Sequence, residues 1–171
     1  DDLRQDMFFL QMLQFVDKLC LSENFDLHLT PYRVLATSRQ DGFVEFVQNS
    51  TTLADIEIRA YLKEHNPNPN SPDGIDPPAM ERFLRSCAGY CVVTYIFGVG
   101  DRHQHNLMLK KSGGFFHIDF GYIFGKDPKP FPPPFKLSPS MVTGMGGMKS
   151  EQFIQFATYC CEAYNRIRAG G

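Results

Sequence analysis

The sequence predicts an α+β fold. Three observations predict it. Apolar residues recur at three- and four-residue steps from Leu3 to Leu19 and again from Met80 to Tyr95; pairs of short apolar runs around turn residues occur twice; and two proline-rich stretches break the chain between them. With 43% hydrophobic and 21% charged residues, 171 residues suffice for one buried core without disulfides.

From Leu3 to Leu19 the residues Leu3, Met7, Leu10, Leu13 and Val16 fall on one helical face, and Asp1 and Asp2 stand where a helix N-terminus attracts negative charge. Between Asn24 and Gln48 the period shortens. Leu27, Leu29, Tyr32, Val34 and Ala36 alternate with polar residues, Gln40-Asp41-Gly42 makes a turn, and residues 43–47 read as a strand, so a hairpin is predicted. Thr52 to His65 is predicted to be a short helix, and the stretch from Asn66 to Gly74, with its three prolines, a surface loop. Met80, Phe83, Leu84, Cys87, Ala88, Cys91, Val92 and Tyr95 share one face, which makes this the helix predicted to be most buried. Gly98-Val99-Gly100 ends it. Leu107-Met108-Leu109 and residues 115–118, separated by Lys110 to Gly114, form a second hairpin. Six prolines between Gly125 and Pro139 leave few backbone donors and predict an extended surface loop that leaves Phe131 and Phe135 unburied. Ser150 caps a last helix whose apolar face is Phe153, Phe156, Ala157, Cys160 and Ile167.

A net charge of −2 offers no broad positive field, which argues against nucleic acid as the main partner. The five cysteines, Cys20, Cys87, Cys91, Cys160 and Cys161, match neither zinc-knuckle spacing nor an even-numbered secreted framework, so a reducing, cytoplasmic setting is expected. The longest apolar stretch, Ala88 to Val99, is about half of the ~20 residues a spanning helix needs, so any membrane contact is expected to be peripheral.

The chemistry concentrates between Gly98 and Gly121. Asp101-Arg102-His103 follows a helix and a glycine turn, Asn106 stands five residues after Asp101, and Asp119-Phe120-Gly121 follows the intervening hairpin. Phosphoryl transfer needs hard oxygen ligands for magnesium, a group to take the hydroxyl proton, and fixed geometry. Asp119 and Asn106 supply the oxygens and His103 the base. The interval from Asp to Asn, followed by Asp-Phe-Gly, is that of the protein-kinase signature, with His and Asp exchanged around the Arg.

That exchange, together with residues 1–6 (Asp-Asp-Leu-Arg-Gln-Asp), Thr30-Pro31-Tyr32, residues 86–91 and residues 117–122, resembles the phosphatidylinositol 3-kinase family along the whole chain. The stretch from Gly125 to Lys136 is most similar to the activation loop of its class III, vacuolar sorting branch. The resemblance implies a protein-kinase-like fold with a mostly helical C-lobe: helix and hinge hairpin in residues 1–50, and C-lobe in 51–171 with a catalytic loop at 98–109 and an activation loop at 119–143. In relatives a glycine-rich loop and a phosphate-pairing Lys precede the position of Asp1, and a membrane-facing helix follows the last helix seen here, so the segment alone need not be active.

By position the resemblance implies that Asn106 and Asp119 bind Mg2+ (or Mn2+) on ATP. His103 is the base or transition-state contact, and Asp101 supports the loop. Glu45, Phe46 and Val47 would form the hinge against adenine, with Asp6, Tyr32, Met108 and Ile118 lining the nucleotide pocket. The implied reaction moves the ATP γ-phosphoryl group to the 3-hydroxyl of phosphatidylinositol in endosomal and autophagic membranes. A protein-kinase-like scaffold subunit and coiled-coil autophagy or endosomal subunits are the implied partners. In the activation loop Lys126, Lys129 and Lys136 stand against Asp127, a small surplus that fits an inositol lipid without further phosphates.

Two other functions are open to these residues. A kinase lobe without its phosphate Lys fits a non-catalytic binding module. His103, His105, His117 and Asp119 fit the ligand types of a zinc-dependent hydrolase.

Overall fold

A computed structural model of the chain describes residues 2–39 and 41–170; Asp1, read above as a helix-terminus charge, and Gln40, read as part of the hairpin turn, lie outside them. Helix α1 runs over Leu3–Ser22, capped by the Asp2 carboxylate, which accepts from the Arg4 N–H at 3.1 Å. Its face of Phe9, Leu10, Leu13 and Val16 is buried. Strands β1 (Val34–Ala36) and β2 (Gly42–Val44) pair antiparallel, Leu35 opposite Phe43. The hairpin is shorter than its pattern predicts. Leu27 is buried in the core with no strand partner, and residues 45–47 leave the ladder, with Phe46 83% exposed.

Strand β3 (Ser50–Thr52) stands where the sequence predicts the start of a helix, and that helix, α2, begins only at Ile58 and ends at His65. The second hairpin forms as predicted, β4 (Leu107–Lys110) against β5 (Phe115–His117), and β3 adds to its free edge through Thr51 opposite Leu109. Among the described residues this gives a three-stranded sheet ordered β3-β4-β5.

The core is organised by α3 (Pro77–Ile96), which starts on two prolines and is buried nearly all round from Phe83 to Thr94. Each fully buried large side chain here, such as Phe83 or Leu84, contributes about 1.5–3 kcal/mol. Tyr95, predicted to share the buried face, is 49% exposed because the helix has by then run past the sheet it covers. Buried polar groups tie α3 to its neighbours: the Ser86 hydroxyl accepts the Phe115 N–H at 2.9 Å, and the Tyr90 hydroxyl meets the Thr30 backbone. The loop after Gly125 has no regular structure until α4 (Pro139–Gly144), a short helix that starts where the stretch predicted to be extended ends, nucleated by the Ser138 hydroxyl accepting from Met141 N–H. Helix α5 (Glu151–Ala169) is capped by Ser150 as predicted and packs on α3 through Phe156, Tyr159 and Ala163. Ala157 faces solvent rather than the core, since the contact line follows 156, 159/160 and 163.

Candidate active site

A cavity of about 390 Å³ opens between α1, the segment leaving β2, and the β4-β5 hairpin. Glu45, Phe46 and Val47 form one wall, Asp6 and Tyr32 another, and Met108 and Ile118 come from the sheet side; Asp119 stands at its polar edge. All seven residues named above as the nucleotide pocket therefore line one cleft. Its walls are mostly apolar, as suits a flat heteroaromatic ring, and the 45–47 wall carries backbone polar groups beside the Glu45 carboxylate, which accepts the Arg33 N–H at 2.8 Å. The Glu45 N–H is taken by the Arg33 carbonyl at 2.8 Å and the Val47 carbonyl by the Ser50 hydroxyl at 2.7 Å. The Glu45 carbonyl and the Val47 N–H carry no hydrogen bond to the described residues, which leaves one acceptor and one donor two residues apart.

The polar edge is built by a helix end. After α3 the Gly98 N–H donates to the Tyr95 carbonyl and the Val99 N–H to the Thr94 carbonyl, a Schellman ending that requires the left-handed φ of +55° at Gly98. Gly100 then lies so close to the segment after Phe120 that a Cβ there would sit 2.2 Å from the Lys126 carbonyl oxygen. Asp101 follows in the left-handed region, φ +52°, residues 104–106 form one 3-10 turn, and β4 begins.

Asn106 is 5% exposed. Its amide NH2 donates to the Asp101 carbonyl at 2.8 Å and lies 3.1 Å from His103 Nε2, which leaves the amide oxygen without a hydrogen bond to the described residues. A His103 Nε2 that accepts from Asn106 carries its proton on Nδ1, and the Asp101 carboxylate stands 3.8 Å from Nε2. The Asn106 carbonyl accepts from the Ile118 N–H at 3.0 Å, so the loop is bonded directly to the residue before Asp119. Asp119, exposed and at φ +62°, turns the chain so that Phe120 buries and stacks on Phe9 at 4.0 Å between centroids. The Phe120 N–H is held by Asp6 Oδ1 at 2.9 Å. Burial raises the pKa of Asp6, the neighbouring Asp119 charge adds to it, and the Phe120 N–H opposes it. Burial likewise raises that of Tyr32.

Arg102, quoted in the sequence motif but given no role, joins these pieces. Its guanidinium donates to the carbonyls of Gly100 at 2.8 Å, Ile118 at 2.8 Å and Asp119. One side chain thus fixes the turn before His103 to the turn at Asp119. A single Arg between the two candidate catalytic residues was the only sequence signal for it.

The three loop lysines separate. Lys126 and Lys129 are exposed, whereas Lys136, grouped with them as a loop cation, is 10% exposed and bonded through Nζ to Asp127 Oδ2 at 3.2 Å. The Asp127 side chain is itself 6% exposed. Desolvation would raise its pKa, but the Lys129 N–H, the Lys136 ammonium and the Asp101 N–H outweigh it and hold the carboxyl below its usual range.

The zinc-hydrolase reading is not supported. His117 lies fully buried, stacked on Tyr90 at 5.0 Å, while His103 and His105 are exposed. Burial drives the His117 pKa well down, and no group of three or more His, Cys, Asp or Glu able to hold a metal occurs among the described residues.

Comparison with known proteins shows the family. The family model described as phosphatidylinositol 3- and 4-kinase matches residues 1–57 and 55–170. Over 98% of this chain, identity is 52% to phosphatidylinositol 3-kinase, root isoform, of Glycine max, 50% to phosphatidylinositol 3-kinase VPS34 of Arabidopsis thaliana, and 47% to that of Saccharomyces cerevisiae. The chain spans about a fifth of the length of these relatives, 21%, 21% and 20% respectively. A matching family model over nearly every residue, and half of all positions shared with enzymes that bear that name, place this chain in the phosphatidylinositol 3- and 4-kinase family.

Proposed function

We propose that this chain is the nucleotide- and lipid-facing part of a phosphatidylinositol 3-kinase, which transfers the γ-phosphoryl group of ATP to the 3-hydroxyl of phosphatidylinositol. The observation that carries the reading is the meeting of an apolar cleft, with a free backbone donor and acceptor on its wall, and a polar edge at Asp119 tied through Ile118 to Asn106. The Asn106 amide oxygen and the Asp119 carboxylate are hard donors of the kind magnesium or manganese takes, and the Asn106 NH2 makes the bonds of that side chain to the described residues, leaving its oxygen for a ligand. Held there by Asn106 and Asp119, the ion would neutralise negative charge on the nucleotide during transfer.

The remaining work falls to the chain's own groups. The backbone of Glu45 and Val47 orients the adenine, and Arg102 keeps His103 in register with Asp119. His103 Nε2, once it exchanges the Asn106 N–H for the inositol hydroxyl, takes the proton of that hydroxyl as its oxygen bonds to the γ-phosphorus and the bond from that phosphorus to the β-phosphate oxygen breaks, releasing ADP. Asp101, 3.8 Å away, then faces an imidazolium that its carboxylate stabilises.

Lys126 and Lys129 are the loop cations left to face an inositol headgroup, and Phe131, 101% exposed, is available to lipid. No helix among the described residues is long and apolar enough to cross a membrane, which fits peripheral attachment. The endosomal or autophagic site of action and the scaffold and coiled-coil partners rest on the resemblance named above.

The test is the full-length protein with γ-labelled ATP, Mg2+ or Mn2+ and phosphatidylinositol vesicles. Labelled phosphatidylinositol 3-phosphate is expected, and Asp119→Ala and His103→Ala each lower its formation by about 100-fold or more. Ordinary turnover in both variants refutes the proposal.

A further inference from the structure

We propose that Asp127 is a positioning residue for the 98–109 loop: its carboxylate fixes the Asp101 backbone and draws on Lys136 as a buried counter-charge, so Lys136 serves site geometry rather than the lipid headgroup. The inference rests on the kinase reading above.

The two segments are laid together by their backbones. The Gly100 N–H donates to the Tyr122 carbonyl, Phe124 N–H to the Phe97 carbonyl and Gly125 N–H to the Gly98 carbonyl, each at 2.8 Å. This pairing delivers Asp127 to the start of the loop, where its Oδ2 accepts the Asp101 N–H at 3.2 Å. Asp101 is a non-glycine residue at φ +52°, a strained conformation that persists only where surrounding bonds hold it. The same Oδ2 takes the Lys136 ammonium at 3.2 Å, while Oδ1 takes the Lys129 N–H at 2.9 Å. The pair is nearly dry, with side chains 10% and 6% exposed, and the Lys136 carbonyl accepts from the Cys91 thiol on α3 at 3.4 Å. A chain of contacts therefore runs from α3 through Lys136 and Asp127 to Asp101, whose carbonyl holds the Asn106 amide, which in turn meets His103. A buried ammonium bonded to a buried carboxylate is not available to a headgroup without first breaking that pair.

The test uses the full-length protein. Asp127→Ala is expected to lower kcat about 30-fold, about 2 kcal/mol, with the KM for ATP within about twofold, because no residue of the nucleotide cleft touches Asp127. Lys136→Met leaves the acceptor in place and lowers kcat about fivefold. The decisive variant exchanges the charges, Asp127→Lys with Lys136→Asp. It restores the ion pair and so the melting temperature, but a lysine cannot accept the Asp101 N–H, so kcat stays low. Recovery of kcat in the exchanged variant, or a raised lipid KM at unchanged kcat in Lys136→Met, overturns the proposal. Hydrogen exchange at residues 98–109 separates it from the kinase reading. Faster exchange in Asp127→Ala supports the clasp even if the wild type transfers no phosphate to lipid, and unchanged exchange overturns the clasp even if it does.

Discussion

Replacing Arg102 by methionine keeps most of the aliphatic stem and deletes the guanidinium. Three carbonyls lose their donor, those of Gly100, Ile118 and Asp119, and the ring of Phe120 loses the cation 5.6 Å above it. A hydrogen bond from a charged donor is worth about 1.5–3 kcal/mol net, but the three are not additive, because water reaches the exposed Asp119 carbonyl once the side chain is gone. Counting the two part-buried bonds alone gives a loss of about 3 kcal/mol, which lowers the melting temperature of a domain this size by about 6–12 °C. Arg102→Lys keeps the charge but presents a point donor in place of a fork, so it reaches one carbonyl at a time and loses about 2 kcal/mol. Scanning calorimetry of the domain transition checks both values. A melting temperature within about 1 °C of wild type for Arg102→Met would refute the argument that this side chain joins the two turns.

Three other predictions follow the same reasoning. Gly100→Ala brings a methyl to 2.2 Å from the Lys126 carbonyl oxygen, a backbone atom that cannot swing away, and is expected to cost about 3 kcal/mol in urea denaturation. For Asp6 the folded pKa lies above the ordinary 3.8, so the native state holds the proton more tightly than the unfolded chain and its stability falls as pH rises through the raised value; Asp6→Asn, which still offers an acceptor to the Phe120 N–H, should be more stable than wild type at neutral pH, with the gain closing as the pH is lowered toward 3.8 in a denaturation series. Phe131→Ser changes a side chain that is 101% exposed, so its stability should stay within about 0.5 kcal/mol of wild type by the same urea denaturation.

Helices α1, α3 and α5 were legible because each carries a long 3.6-residue pattern, reinforced by the cap at Ser150 and the Gly98 ending. β3 was not. Ser50-Thr51-Thr52 shows no alternation of its own, and its partner β4 lies more than fifty residues further on, so nothing local announces the pairing. The hinge wall was read from resemblance, and its departure from the ladder after Val44 is a tertiary matter of where the cleft opens. Tyr95 and Ala157 were placed on buried faces by periodicity alone, which gives a helix face but not where the neighbouring element ends. Motif spacing drew attention to His103, Asn106 and Asp119, yet it could not show that Arg102 bonds to both turns or that Lys136 is neutralised by Asp127, since each depends on contacts between segments remote in sequence.

The account turns on Asn106 and Asp119 offering oxygens to one metal-bound nucleotide. Electron paramagnetic resonance of Mn2+ with ATP and the full-length protein measures this directly, because free and protein-bound manganese give distinct signals. The account predicts bound manganese in the wild type and its loss in both Asn106→Ala and Asp119→Ala at the same nucleotide concentration. Undiminished manganese binding in both variants would contradict it.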